Sequence, residues 1–286
     1  MLRAIALVAV ALFALASTLI ASAATAATLD RLKSGGVIKL GVRDDAPPFS
    51  YRNSIGEPAG YTVALCRAVA AQIKQQFKLE KLNVTYVTVT AENRFQSVKD
   101  GKVDLLCGAT TATLSRREVV DFSIPTFVDG ASVLLNSEGP QSFSDLDGKK
   151  VGVRAGTTTE DTLRNAVKGM AINVETVAVK DHKDGVAKLL KGDISAYFAD
   201  RAILYFLMLG SGASDKLFLS DQQFTYEPYA LALPRGDSDF RLAVDRALSK
   251  LYRSGEISSI FTSAFGPGAE PTDELSALYR IGALPD

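Results

Sequence analysis

Charged and hydroxyl side chains collect where this sequence ends its strands. Arg43 closes the apolar run Val37-Ile38-Lys39-Leu40-Gly41-Val42, and Arg94 opens a short helical pattern after the segment Asn83 to Val89. Ala109-Thr110-Thr111 follow the run Val103 to Cys107 and lead to Arg116. Further along, Gly156-Thr157-Thr158 follow Lys150 to Val153, His182 stands at a helix start, and Asp200 follows Ser195 to Phe198. Free backbone N–H groups at a helix start, with threonine hydroxyls beside them, suit a carboxylate. An aspartate suits an ammonium. Brought together, these groups would hold a zwitterion, with Arg43, Arg94 and Arg116 outnumbering Asp200. A neutral zwitterion would strand a buried arginine at a cost of roughly 3–5 kcal/mol, so the surplus favours an acidic ligand.

Each feature also has a plainer reading. A single strand-end arginine is commonly a solvated rim charge. Thr157, Ser115 and Asp200 are candidate helix caps, and His182 a surface residue. Only their co-location makes a site.

Other chemistry is poorly supplied. The chain has one histidine, two cysteines and no G-x-S-x-G elbow, Walker loop or G-x-G-x-x-G after a strand. A nucleophile needs a base to activate it, and a zinc centre needs a Cys/His cluster, so no metal or cofactor is expected. The 32 basic residues balance 32 acidic ones, which disfavours binding of nucleic acid or anionic lipid by bulk charge. With 47% hydrophobic and 22% charged residues among 286, the composition is that of a globular protein.

Arg3, the uncharged run Ala4 to Ile20 and the small residues Ala21 to Ala27 read as a secretory signal peptide. Cleavage is expected after Ala23 or, preferably, Ala26, giving a signal peptide over 1–26 and a periplasmic mature chain. That compartment is oxidising. Cys66, on the first long helix, and Cys107, at the end of a neighbouring strand, are therefore expected to pair, with two free buried thiols as the alternative.

Strand patterns alternate with helical ones along the mature chain. Tyr61 to Phe77 places Leu65, Val69, Ile73 and Phe77 on one helical face. Helices are also read over Asn93–Lys99, Asp181–Leu190, Arg201–Leu209, Asp239–Tyr252 and Ile257–Phe265, with a returning strand at Tyr229–Leu233. Ser115 with Glu118, and Thr157 with Glu160, match capping boxes. The alternation implies an α/β fold with mainly parallel sheets. Gly41-Val42-Arg43 recurs as Gly152-Val153-Arg154, each closing a strand, which suggests two similar lobes. Such lobes bind ligands at the carboxyl ends of their strands.

The run Gly41-Val42-Arg43-Asp44-Asp45-Ala46-Pro47-Pro48-Phe49-Ser50-Tyr51, then Gly60-Tyr61, resembles the opening of family 3 extracellular solute-binding proteins. Asn93-Arg94, Gly101 to Thr111, Arg116, Val120-Asp121-Phe122-Ser123, Leu146 to Lys149, Gly156-Thr157-Thr158, Lys180-Asp181-His182 and Gly192-Asp193 continue the likeness in order. The resemblance implies a type II periplasmic-binding-protein fold, two lobes joined by two hinge strands with the ligand between them. Crossings are expected near Gly130–Leu135 and Tyr229–Leu233, giving lobe 1 as 27–133 with 232–286 and lobe 2 as 134–231.

Within the family, the sequence is most similar to glutamate/aspartate-binding proteins. That likeness implies Arg116 on the ligand α-carboxylate and Asp200 on its ammonium. Arg43, Arg94 and His182 would surround the side-chain carboxylate, with Thr111, Thr157, Thr158 and the Ala109 carbonyl adding hydrogen bonds. Ala91 and Ala109 depart from it, standing where serine is frequent. The implied partners are an acidic amino acid and the inner-membrane permease of an ABC importer, with the receptor a monomer. Two alternatives use the same fold. One is a cyclohexadienyl or arogenate dehydratase-like enzyme with His182 or Glu160 as acid–base group; the other is a sensor module.

Overall fold

The computed structural model describes residues 27–285, so the signal peptide read over 1–26 lies outside the described residues. The chain begins with α1 (Thr28–Gly35) and β1 (Val37–Val42), followed by a small sheet of β2 (Asp45–Ala46), β3 (Ser50–Arg52) and β4 (Pro58–Ala59). Then come α2 (Tyr61–Gln76), β5 (Asn83–Thr88), α3 (Arg94–Lys99), β6 (Leu105–Cys107) and β7 (Val120–Asp129). The middle holds β8 (Ala131–Asn136), β9 (Lys150–Val153), α4 (Thr158–Gly169), β10 (Glu175–Ala178), α5 (His182–Lys191), β11 (Ala196–Asp200), α6 (Arg201–Gly210) and β12 (Leu217–Leu219). β13 (Glu227–Pro234), α7 (Ser238–Ser254), α8 (Glu256–Phe265) and α9 (Asp273–Gly282) complete it.

Two five-stranded sheets share one plan, in the orders β5-β1-β6-β13-β7 and β10-β9-β11-β8-β12. β1 runs parallel to β5 and β6, and β9 parallel to β10 and β11. The sheets are less parallel than the sequence alternation implied. β13 is antiparallel to β6 and β7, and β8 to β11 and β12, because these strands enter from the opposite sheet without a crossover helix.

Only Gly130 separates β7 from β8. A Cβ there would lie 1.9 Å from the Thr225 carbonyl oxygen, so the crossing requires glycine. The chain returns between Leu219 and Glu227. Ala131–Val133 therefore pair in the second sheet and Glu227–Leu231 in the first, a few residues from the crossings read in the sequence. We propose 27–130 with 227–285 as lobe 1 and 131–219 as lobe 2, the intervening loop linking them.

The Gly-Val-Arg recurrence has a packing cause. A Cβ on Gly41 would meet Val103 Cγ1 at 2.8 Å, and one on Gly152 would meet Ile194 Cδ1 at 2.6 Å. Each glycine lets the residue ahead of the neighbouring strand lie close over the sheet, and each strand then delivers an arginine to the same edge.

The C-terminal helices pack on lobe 1. Leu65, Val69 and Ile73 of α2 are fully buried, as their spacing predicts. Phe49, Tyr61, Phe127, Phe261 and Phe265 form a chain of edge-on and stacked rings. Tyr61 Oη donates to the Thr126 carbonyl at 2.8 Å and meets Tyr279 Oη at 2.7 Å, fixing α9 to β7 through two buried polar groups.

Cys66 of α2 and Cys107 of β6 form a disulfide with Cα atoms 6.1 Å apart. It closes a loop of 41 residues, and a crosslink of that span stabilises by about 2–4 kcal/mol. Replacing both cysteines by alanine should lower the melting temperature by roughly 4–15 °C. Calorimetry of the oxidised protein and the double variant measures this; equal midpoints would show that the bond contributes nothing.

Candidate functional site

Strand ends of both sheets approach one another at the lobe interface, and of the predicted residues Arg43, Arg94, Thr111, Arg116, Thr158, His182 and Asp200 lie there, while Thr157 and Ala109 have local partners. From lobe 1, the Arg94 guanidinium donates to the Ala91 carbonyl and reaches across to the Gly156 carbonyl of lobe 2, at 3.4 Å. Arg116 donates to the Thr111 carbonyl at 2.8 Å. Both guanidiniums face the Phe95 ring, at 4.6 and 5.0 Å from its centroid, and the Arg116 charge acts on Arg94. Burial first, then the neighbouring Arg116 and Arg43, lowers the Arg94 pKa to about 9. Its Nε is buried with no hydrogen-bond partner. A cation so placed is stabilised by an arriving anion.

Across the cleft, the α4 N-terminus carries Thr157 and Thr158. Thr157 Oγ1 accepts from the Glu160 N–H at 3.3 Å and donates to the Arg154 carbonyl at 2.7 Å. It is a helix cap, with its hydroxyl engaged locally. Glu160 closes the turn by accepting from the Gly156 N–H at 3.0 Å. Thr158 and Thr111, from opposite lobes, both donate to Glu227 Oε2, Thr158 at 2.6 Å. Ala109 is half-buried and packs on the apolar core. The capping box read at Ser115 is absent: a one-turn helix at Arg116–Glu118 forms without a capping bond from Ser115, and Thr113 Oγ1 accepts from the Arg116 N–H at 3.2 Å instead.

Asp200 occupies the N-cap position of α6 but makes no capping bond. Its Oδ1 is buried and unpartnered. Burial, then Glu227 and Asp129, pushes its carboxyl well above the usual range, while Tyr229 and Arg116 act against this. Asp129, in the crossing, accepts from the N–H groups of Gly130 at 2.9 Å and Ala202 at 3.3 Å, and from Tyr229 Oη at 3.3 Å. Burial raises it to about 7, with Glu227 adding to the shift.

At the far end, Arg43 Nε donates to Asp45 Oδ1 at 2.9 Å. Arg154 of lobe 2 approaches Asp45 Oδ2 at 3.2 Å and Glu92 Oε1 at 3.7 Å. His182 is buried and meets Tyr197 Oη through Nδ1 at 2.6 Å. Burial, then Arg43 and Arg154, brings its imidazole down to about 3 against the pull of Asp45, so the ring is neutral at pH 7.

These neighbours correct the charge count made from the sequence. Arg154, Asp45, Asp129 and Glu227 share the cleft with the four charged residues counted there, and Glu92 stands at its exposed margin, so the cations no longer outnumber the acids. The cationic excess is conditional. It exists while Asp129 and Asp200 hold protons, and it centres on Arg94. Asp45 was legible two residues after Arg43, and Arg154 from its echo of Arg43. Asp129 and Glu227 had no local signal, since they enter the site only because both hinge strands cross it.

The hinge acids make ligand-free stability depend on pH. Native Asp129 keeps its proton to about pH 7, while the unfolded carboxyl loses it near 3.9. Between those values the native state binds more protons. This contribution is therefore full below about pH 4 and is lost as pH rises through 7. His182 runs oppositely: its contribution is full above about 6.5 and lost as pH falls through about 3. An amide at 129 imitates the protonated acid. Asp129→Asn should match the wild type at pH 4 and exceed it at pH 8 by on the order of 3 kcal/mol. Urea unfolding of dialysed protein at both pH values checks this; a pH-independent difference would show an ordinary carboxyl.

The chain belongs to the bacterial extracellular solute-binding proteins, family 3, whose model matches residues 38–267. It is 36% identical over 242 residues to the L-glutamate/L-aspartate-binding protein of Pseudomonas aeruginosa, covering 83% of this chain and 80% of that one. It is 29% identical to the glutamate/aspartate import solute-binding protein of Escherichia coli K12, covering 91% and 89%. A solved mutant of ArgBP from T. maritima superposes with a TM-score of 0.73 at 24% identity, covering 83% of this chain and 98% of that one, which bears on the fold. The relatives are solute-binding transport proteins rather than enzymes, and their fold is the two-lobed type II architecture.

Proposed function

We propose that this protein is the periplasmic receptor of an amino-acid ABC importer, capturing glutamate or aspartate between its lobes and delivering it to the membrane permease. The observation that carries the reading is Arg94, a buried arginine at the lobe interface with a free Nε and only carbonyl partners. A ligand carboxylate would neutralise it. Arg116 takes the α-carboxylate and Asp200 the ammonium, which lets Asp200 ionise. Thr111, Thr158 and the neutral His182 add hydrogen bonds. The names of the relatives support the same class of ligand.

Closure follows from the chemistry. Ligand charges pair only when groups from both lobes surround them, and excluding water strengthens each pair. Titration calorimetry against the twenty amino acids should rank glutamate and aspartate first, and scattering should show a smaller radius of gyration with saturating glutamate. Tightest binding of a neutral or basic amino acid would overturn the acidic assignment.

A further inference from the structure

The two arginines at the ends of the equivalent strands β1 and β9 converge on one carboxylate. Arg43 approaches Asp45 Oδ1 through Nε at 2.9 Å and Nη2 at 2.7 Å, while Arg154 approaches Oδ2 at 3.2 Å from the other lobe. All three side chains are largely shut off from solvent. Asp45 Oδ2 and Arg154 Nε have no hydrogen-bond partner, so the grouping is not a closed structural pair. His182 lies beside it, and its neutral ring adds no charge. A carboxylate of the protein thus occupies the space among Arg43, Arg154 and His182, where a ligand side-chain carboxylate would otherwise be drawn.

We propose that Asp45 and Arg154 together set the charge at the far end of the cleft, and with it the preference for an acidic over an amide side chain on the bound amino acid. The inference rests on the amino-acid-binding reading above. Asp45 carries one negative charge against the two positive charges of Arg43 and Arg154, and the more exposed Glu92 approaches Arg154 at 3.7 Å, so the pull on a side-chain carboxylate comes chiefly from Arg94. The far end is tuned rather than saturated. Removing one negative charge there strengthens the acidic preference; removing one positive charge weakens it.

The test is a charge cycle read as the ratio of glutamate to glutamine affinity. Asp45→Asn should raise that ratio about tenfold or more, and Arg154→Gln should lower it by a similar factor. The double variant should return it near the wild-type value. Circular dichroism and urea unfolding report folding of each variant, and Arg154→Gln alone still tests the sign if Asp45→Asn does not fold. Ratios unchanged in the variants, or shifted in the same direction by both, would overturn this inference while leaving the receptor reading standing. A wild-type protein that binds no amino acid would instead overturn the receptor reading.

Discussion

Arg116→Ala should abolish binding of every amino acid, acidic or neutral. The α-carboxylate is common to all of them, and Arg116 is the cation placed opposite Asp200 and Glu227. Its guanidinium has one protein hydrogen bond, to the Thr111 carbonyl, which leaves most of the fork for a ligand. Removing it strands a buried ligand carboxylate and takes away a cation that acts on Asp200 and Glu227. The cost of roughly 3–5 kcal/mol corresponds to two to three and a half decades in affinity. Arg116→Lys keeps the charge but loses the planar fork, so it should fall between the two. Arg116 is half-buried on a single helical turn, so the fold should survive the change. Titration with glutamate, aspartate and glutamine checks the prediction. Retained glutamine binding in the alanine variant would remove Arg116 from the α-carboxylate.

The parts of this site legible in the sequence share a physical feature. Arg43, Arg94, Thr111, Arg116, Thr158, His182 and Asp200 each follow or open a local element whose hydrophobic period announces its end. A strand that stops delivers its last polar residue to the sheet edge, and one edge of each sheet faces the cleft. Asp129 and Glu227 escape that logic. They face each other at the ends of two antiparallel strands of the first sheet, where the chain leaves for and returns from the second, so no neighbouring helix frames them. The crossing at Gly130–Leu135 is expected from the family resemblance, whereas β7 has no boundary in the sequence, because Gly130 alone divides a nearly continuous run of extended residues. α1 and α9 were missed too, being short helices whose apolar stripes make sense only against lobe 1. The charge count failed for a related reason: sequence order gives each arginine's position, while the partner that neutralises it comes from another strand or the other lobe.

Arg94→Gln should separate class from specificity. The amide keeps a donor near the Ala91 and Gly156 carbonyls but removes the charge. Arg94 is a cation of the cleft with no acidic side chain among its hydrogen-bond or ion-pair partners in the described residues, and its lowered pKa reports how poorly burial and two neighbouring arginines suit it. A ligand side-chain carboxylate relieves that strain; a ligand amide does not. Losing the charge-assisted bond costs about 1.5–3 kcal/mol, or roughly one to two decades of glutamate and aspartate affinity. Glutamine should lose far less, because the variant no longer buries an unmatched cation on closing around it. The glutamate-to-glutamine ratio should therefore fall by at least tenfold while α-carboxylate recognition through Arg116 persists. Calorimetry of both proteins with the three ligands measures the ratio. If it did not change, Arg94 would not serve the ligand side chain, and the acidic preference would have to arise from Arg43 and Arg154 despite the carboxylate of Asp45 that already lies between them.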